Sequence, residues 1–433
     1  MDLLEALDWL NQHISKAGTA GAESGLSLEP MQRMMHALGD PQTAYDVVHV
    51  TGTNGKGSTS VMASRLIEAT NLSVGTYASP HVEVINERIV RNGQLIPDDE
   101  LAAALTDISL IEPLLDTRPS YFEILTAAAF RWFADHAVEV AVVEVGMLGR
   151  WDATNVADGK VAVITNVGRD HTDRSGDWRE KIAGEKAGVV KPGATLVLGE
   201  ADDELEPVFI EAGADRMWVP GRDFEVLDNR LAVGGRVFDM MTPLGSRLEN
   251  VFLPLHGEHQ VDNAATAIAT WEALFDQPID SELVTEALAD VHVVGRFEVV
   301  AHDPVIVLDG AHNPDGAEAA SRTLDAEFAR IGSRILVVGL LGPKDVSEML
   351  ESLDARSADL LIACTPDSPR AVPAAELARV AHSLGIAVEA VADPVAAIDR
   401  AAAVAADEDV ILVAGSLYVV GAIREALRTV ARS

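Results

Sequence analysis

The chain has 433 residues, 48% of them hydrophobic and 23% charged. That length accommodates roughly two to three domains, and the composition can bury sizeable cores rather than stay disordered. Its 33 Lys plus Arg against 68 Asp plus Glu leave a formal charge of −35, which repels nucleic acid and anionic lipid wherever basic residues are not gathered locally; any polyanion it binds must be small and met by a dedicated pocket. The longest strongly apolar, uncharged stretch, Val410 to Ile423, has 14 residues, short of the about 18 that span a bilayer.

In chain order, Leu3, Leu4, Leu7, Leu10 and Ile14 recur at helical spacing and predict an amphipathic first helix. Asp2, Glu5 and Asp8 give this end the wrong charge for a signal peptide, which points to a cytoplasmic protein. A Gly/Ser-rich loop, Ala17 to Leu28, follows. The apolar run Val47–Val50 then enters Thr51-Gly52-Thr53-Asn54-Gly55-Lys56-Gly57-Ser58-Thr59, and a helical pattern continues through Ile67. Further β-rich runs at Val138–Val145, Val161–Val167 and Ala194–Leu198 are separated by helix-length segments, as in a parallel sheet covered by helices. From Phe224 to Met240 the pattern turns to short alternating runs broken at Asp228-Asn229 and Gly234-Gly235, which predicts a small antiparallel appendage.

A third region starts near Gly295. Strands at Val305–Leu308, Ile335–Val338, Leu360–Cys364 and Val410–Val413 alternate with helices such as Glu318–Ile331 and Ala374–Leu384, which predicts an independent open α/β domain. The expected fold class is therefore α/β: a P-loop-type parallel-sheet domain with the antiparallel appendage over 1–294, followed by a second, Rossmann-like α/β domain over 295–433. The single cysteine, Cys364, excludes an internal disulfide and a cysteine metal cluster, and is expected as a small apolar residue at a strand end.

The glycine loop is a variant of the P-loop, since Val50 and Gly57 stand where the strict pattern has Gly and Ser or Thr. Its physics survives the change. Gly52, Gly55 and Gly57 let backbone N–H groups close on phosphate oxygens, the helix N-terminus adds partial positive charge, and Lys56 adds a full one. Ser58 or Thr59 can then reach a magnesium ion. Magnesium takes oxygen ligands and keeps several waters, so such a site wants a carboxylate at a neighbouring strand end, where Glu144 stands. The next strand leads into Gly168-Arg169-Asp170-His171, a second polar group at the same sheet edge. Taken singly, a strand-end Glu such as Glu144 is more often a solvated edge residue, and His171 more often a structural or surface histidine; the two together at one sheet edge favour the metal reading. Only 7 of the 33 basic residues are lysines, and Lys56, Lys181, Lys186, Lys191 and Lys344 all fall in segments of this functional kind.

These residues resemble the folylpolyglutamate synthase and dihydrofolate synthase branch of the Mur ligase superfamily. Gly-Thr-Asn-Gly-Lys-Gly-Ser (52–58), Ser-Pro-His (79–81), Asn-Glu-Arg-Ile (86–89), Phe-Glu (122–123) and Glu144 to Asn155 occur in collinear order. So do Thr165-Asn166 with Asp170-His171, Glu185-Lys186-Ala187-Gly188, Lys191-Pro192-Gly193, Asn263-Ala264-Ala265, Gly295-Arg296-Phe297, Asp309 to Pro314 and Gly415-Ser416-Leu417-Tyr418. The resemblance implies an ATP-dependent ligase that joins L-glutamate to a folate or dihydropteroate carboxylate through an acyl phosphate. It implies magnesium ligands at Ser58, Glu144 and His171, and a carbamylated Lys186 holding a second magnesium ion. Nucleotide contacts beyond the loop (Thr53, Asn54, Gly55, Lys56, Gly57, Ser58) would come from Asn263, Arg296 and Asp309. The pteroate side would be Phe122, Glu123, Trp151, Asp152 and Ala153, and the incoming glutamate would face His312, Ser416 and Tyr418. Lys56, Lys186 and His312 would carry the catalysis, in a monomer without nucleic-acid or membrane partners. The chain departs from the pattern at Gly146-Met147-Leu148-Gly149, where Gly-x-Gly-Gly is usual, and at Ile85, where Phe is common; both adjoin the pterin side. A Mur-type ligase acting on another carboxylate and a non-catalytic ATP-binding module are the rival readings. Lys56 followed by Gly-Ser rather than Thr-Thr speaks against the first, and Glu144, His171 and Lys186 occurring together speak against the second.

Overall fold

The structure is a computed structural model that describes residues 1–14, 27–169, 176–328, 332–342 and 345–432. Most of the predicted Gly/Ser-rich loop, with Asp170, His171 and Lys344, lies outside the described residues. Eight strands form the first sheet: β1 (Asp46–Thr51), β2 (Val74–Tyr77), β3 (Ile89–Arg91), β4 (Gln94–Leu95), β5 (Val140–Glu144), β6 (Gly159–Ile164), β7 (Thr195–Leu198) and β8 (Arg216–Trp218). Their order is β4-β3-β2-β5-β1-β6-β7-β8. The five central and distal strands run parallel to β2, and only β3 and β4 pair antiparallel at one edge. Strands β1, β5 and β7 are buried along all or nearly all of their length, which is why they read as continuous apolar runs rather than as alternation.

The order places β1 between β5 and β6, although β5 and β6 come after it in the chain. This is the switch point at which open α/β sheets bind ligands beyond their carboxyl ends. Val50 lies opposite Glu144 on one side, and Thr51 opposite Ile164 on the other. The glycine loop, Glu144 and the segment after β6 therefore emerge side by side.

The appendage is a three-stranded antiparallel sheet of β9 (Glu225–Ala232), β10 (Gly235–Met241) and β11 (Arg247–Leu253), in order β11-β10-β9. Val233-Gly234 makes the first turn, with φ +78° at Gly234. Asp228-Asn229, expected at a break, lies inside β9, because its polar side chains sit on a largely exposed strand. Phe238, Met240, Leu248, Val251 and Leu253 bury the sheet's inner face against the helix Glu258–Phe275 and its neighbours.

The second sheet holds β12 (Glu298–His302), β13 (Val305–Leu308), β14 (Arg334–Val338), β15 (Leu360–Ala363), β16 (Val388–Ala390) and β17 (Val410–Ala414), in order β12-β13-β17-β14-β15-β16. All pairs are parallel except the edge pair β12–β13. Cys364 follows β15, is buried and free, and burial pushes its thiol up to about 12. The first helix, Leu3–Asn11, is capped by Asp2 and buries Ala6 and Leu10, but Leu4 faces outward at 75% exposure and Ile14 lies beyond the helix end. No described helix is long and apolar enough to cross a membrane.

Candidate active site

The glycine loop is built by residues from two neighbouring strands. Gly52 has φ +151°, and a Cβ there would come within 1.7 Å of Thr165 Oγ1. Gly55, at φ +81°, opens the helix Lys56–Glu68. Asn166 Oδ1 accepts from the amides of Thr53 (3.1 Å) and Asn54 (2.9 Å), while Thr165 Oγ1 donates to the Asn54 carbonyl at 2.6 Å. The first bond of the helix runs from Thr59 N to Gly55 O, so the amides just before it have no carbonyl in a preceding turn and are available to an anion. Lys56 curls over the loop, Nζ donating to the carbonyls of Gly52 (3.1 Å) and Thr53 (3.2 Å).

Beside the helix start stands Glu144, 4% exposed, whose Oε2 accepts from Ser79 N at 3.2 Å. A Cβ on Gly57 would lie 3.7 Å from that same oxygen, so the side-chain-free Gly57 leaves the loop and the carboxylate abutting. Burial pushes the Glu144 pKa up, while Lys56, the Ser79 amide, Arg296 and Arg88 oppose the rise. Three cations thus converge on one buried anion in a chain of charge −35. Ser58, 2% exposed, adds a hydroxyl on the first turn of the helix. A hydroxyl and a carboxylate are the hard oxygen donors that magnesium takes. Among the described residues no three His, Cys, Asp or Glu side chains gather around one point. Lys186, 3% exposed, sits in the last turn of the helix Trp178–Ala187, and its neighbour Glu185 faces Arg150 at 3.6 Å.

Residues of the second sheet close the site from the other side. Asp309, directly after β13, is buried and spends its carboxylate on the backbone: Oδ2 accepts from Phe297 N at 2.8 Å and Oδ1 from Ala311 N at 2.7 Å. Burial raises its pKa and the Arg296 charge opposes the rise. It thereby fixes the turn that carries Arg296, which packs against Gly310. His312 Nδ1 donates to Gly310 O at 2.9 Å, which fixes that ring's tautomer when neutral. Asn313 and Asn54 exchange amide hydrogen bonds (2.9 and 3.3 Å), joining the glycine loop to the second unit. Asn263, on the helix Glu258–Phe275, reaches the loop from below: a Cβ on Gly55 would lie 2.3 Å from its Oδ1.

On the far side of Glu144, Phe122 packs under Gly146, where a Cβ would come within 2.5 Å of the ring. Glu123 turns back to accept from Ser120 N at 2.7 Å, forming a capping box for the helix Tyr121–Asp135. Asp152 is buried and accepts from Met147 N, Thr154 N and Thr154 Oγ1. Trp151 is half exposed, Ala153 is buried, and Leu148 takes φ +59° at the position where glycine is usual. Ser416 is buried and accepts from Tyr418 N, while the Tyr418 side chain is exposed. The structure brings Lys56, Ser58, Glu144, Asn263 and Arg296 together, with Asp309 behind Arg296.

Residues 50–271 match the Mur ligase middle domain and residues 295–417 the Mur ligase glutamate ligase domain. The dihydrofolate synthase/folylpolyglutamate synthase of Mycobacterium tuberculosis is 36% identical, over 92% of this chain and 89% of its own length. The chain belongs to the folylpolyglutamate synthase/dihydrofolate synthase family of Mur ligases. Among solved structures, M. tuberculosis folylpolyglutamate synthase complexed with ADP superposes with TM-score 0.92 at 35% identity, covering 98% of each chain. A bifunctional folylpolyglutamate synthase/dihydrofolate synthase with Mn, AMPPNP and L-glutamate bound superposes with TM-score 0.86 at 29% identity, covering 99% of this chain and 98% of that one.

In this family member, residue type and spacing alone assign no role to Asn166, Asn313 or Arg88. Asn166 holds two loop amides, Asn313 bridges the two units, and Arg88 donates from Nε to His81 Nδ1 at 2.9 Å while facing Glu144 and Tyr121. Each lay inside a matched motif. The partners of Asn166 and Asn313 are far away in sequence and become visible only in the fold, whereas His81 lies seven residues before Arg88.

Proposed function

We propose that the chain is an ATP-dependent ligase that forms an amide between the carboxylate of a folate or dihydropteroate and the amine of L-glutamate. The glycine loop at the sheet's switch point, with Lys56 over it and the buried Glu144 carboxylate abutting Gly57, carries this reading. The relatives' ADP, AMPPNP, Mn and L-glutamate complexes support the choice of substrates and of a divalent ion. The substrate carboxylate attacks the γ-phosphorus of ATP, giving an acyl phosphate and ADP. The glutamate amine then attacks the acyl carbon, loses a proton, and phosphate departs with its electron pair. Lys56 and the first helix amides neutralise charge on the transferring phosphoryl group, and Arg296 orients nucleotide from the second unit. Asn263 and Asp309 complete the nucleotide site, Asp309 by holding the Arg296 turn.

Ser58 and Glu144, with His171, would hold a magnesium ion, which when bound neutralises phosphate charge. Carbamylated Lys186 would supply the oxygens for a second. Phe122, Trp151, Ala153 and the loop braced by Asp152 would receive the pterin end, with Glu123 capping the helix that carries Phe122. His312, Ser416 and Tyr418 would face glutamate. We divide the chain at 294/295, where the second matched segment begins and just before β12. A monomer located in the cytoplasm, with only small-molecule partners, completes the reading, and the strong negative charge supports the exclusion of nucleic acid.

The test is phosphate release with dihydropteroate and with tetrahydrofolate, each with and without L-glutamate, and the product mass. Release that requires both pterin and glutamate, with one glutamyl residue gained, is expected. Release independent of either substrate would overturn the assignment.

A further inference from the structure

The interior of β1 carries a group that the ligation chemistry does not use. His49 is fully buried among the valines of a central strand, and burial together with the Lys191 charge lowers its pKa to about 3. Its Nε2 lies 2.8 Å from Thr154 Oγ1, and its buried Nδ1 has no hydrogen-bond partner among the described residues. An apolar residue would leave no such orphan, and an unsatisfied buried polar atom destabilises a core.

The direction of each proton follows from the partners. Asp152 receives N–H groups on both oxygens, from Met147 at 2.9 Å and Thr154 at 3.0 Å, and the Thr154 hydroxyl donates to Oδ1 at 2.6 Å. With its single proton spent there, Thr154 Oγ1 can only accept from His49, so His49 carries its hydrogen on Nε2. A chain of hydrogen bonds therefore runs from His49 on β1 through Thr154 to the Asp152 carboxylate, to which the Met147 amide donates from the other side. Thr51, two residues along β1 and so on the same face as His49, donates from Oγ1 to Leu148 O at 2.5 Å. One face of the strand that feeds the glycine loop thus grips the Gly146–Trp151 loop at two points. Leu148 at φ +59° shows why a grip is needed, since a non-glycine residue in that region is disfavoured unless its surroundings hold it.

We propose that His49 is a positioning residue: acting through Thr154 and Asp152, it holds the Gly146–Trp151 loop in the shape that receives the carboxylate substrate. The proposal rests on the functional reading above for the identity of that substrate, and on the hydrogen-bond chain alone for the loop.

Two pairs of variants test it in the full-length protein. Thr154→Val removes the hydroxyl at constant shape and Thr154→Ser restores it. His49→Phe removes the donor and His49→Gln returns an N–H. The readouts are KM for the pterin carboxylate, the affinity for ADP, and hydrogen exchange at the Met147 amide. We expect Thr154→Val and His49→Phe to raise the pterin KM roughly tenfold and speed Met147 exchange by a similar factor, with ADP affinity within about twofold; the Ser and Gln variants should return toward the parent. If Thr154→Val also loses ADP affinity, the fold is disturbed and the His49 pair decides. Unchanged pterin KM together with unchanged Met147 exchange in His49→Phe would overturn the proposal. If the parent turns over no pterin, the functional reading fails, and Met147 exchange alone then decides the relay.

Discussion

Lys56 is half-buried and lies over its own loop, donating to the Gly52 and Thr53 carbonyls. Lys56→Ala should leave thermal unfolding unchanged and reduce kcat about a hundredfold or more, the effect of removing one well-placed transition-state charge, on the order of a few kcal/mol; steady-state kinetics beside a melting curve checks both halves. Glu144 is the opposite case, an anion whose burial the structure only partly offsets. Its folded pKa is raised, so the ligand-free folded state binds more protons than the unfolded chain between the two values, and its contribution to stability falls as pH rises through that window. Glu144→Gln mimics the protonated form. It should raise the melting temperature of ligand-free protein at pH 7.5 and abolish the further rise that magnesium and ADP give the parent; a melting temperature lowered by the substitution would contradict the assignment. Lys186 is at least as buried as Glu144, and an ammonium repels magnesium whereas a carbamate offers it anionic oxygen. Addition of carbon dioxide to the neutral amine, with loss of a proton, gives that carbamate. Protein equilibrated with ¹³C-bicarbonate should show a carbamate carbon signal that Lys186→Ala lacks. Short carboxylates should restore part of the variant's activity, and a parent active without the signal would refute the carbamate.

At the level of elements, the βα order was legible because parallel strands buried on both faces are continuous apolar runs, and β1, β5, β6, β7, β13, β14, β15 and β17 are of that kind. The edge strands were less legible. β12 carries Glu298, half-buried valines and His302, and β11 alternates weakly, so neither exceeds the signal of a loop. The switch-point arrangement follows from strand order, which local pattern does not encode. For the candidate site, the glycine loop and Glu144 could be read from residue type and position after a strand. The distribution of duties around them could not, because it depends on distant partners: Asn166 for the loop amides, Asp309 for the Arg296 turn. Glu123 is instructive in the other direction. Ser120-Tyr121-Phe122-Glu123 is a capping-box spacing, and the structure uses it as one. Gly52 depends instead on a distant neighbour, since a methyl group there would collide with Thr165 Oγ1. Gly52→Ala should push the loop away from Asn166 and weaken ADP binding roughly tenfold or more, measured by titration, with pterin affinity less affected.

Over the whole molecule, the two sheets meet through polar contacts that surround the site. Near the glycine loop these are the Asn54–Asn313 pair and Arg169, whose Nε donates to Asp315 at 2.6 Å and whose backbone amide meets the same carboxylate. On the appendage side a buried clasp joins Glu327 to Arg236 (2.5 Å), His256 (2.8 Å) and the Gly257 amide. Across the pterin side the C-terminal helix Leu417–Arg432 presents Arg424 and Arg428 to Glu83, and Arg424 also meets Glu298. Gly421 of that helix backs onto the Val82 carbonyl, which a Cβ would approach to 2.1 Å. Glu83 sits in the turn whose amides Val82, Glu83 and Val84 all donate to Glu87, immediately before Arg88. The helix that begins next to Ser416 and carries Tyr418 is thus tied to the turn that places Arg88 beside Glu144. Breaking that tie should loosen the registration of the two halves without touching the nucleotide loop. Arg424→Ala should lower kcat roughly fivefold, equivalent to about 1 kcal/mol for a partly buried ion pair, with ADP affinity within about twofold. Glu83→Ala should have a similar effect, and the double variant should lose less than the product of the two single losses, because the two share one contact while Glu298 and Arg428 each pair with only one of them. Losses that multiply in the double variant would show that Arg424 and Glu83 act separately, and the contact between them would then carry no catalytic weight.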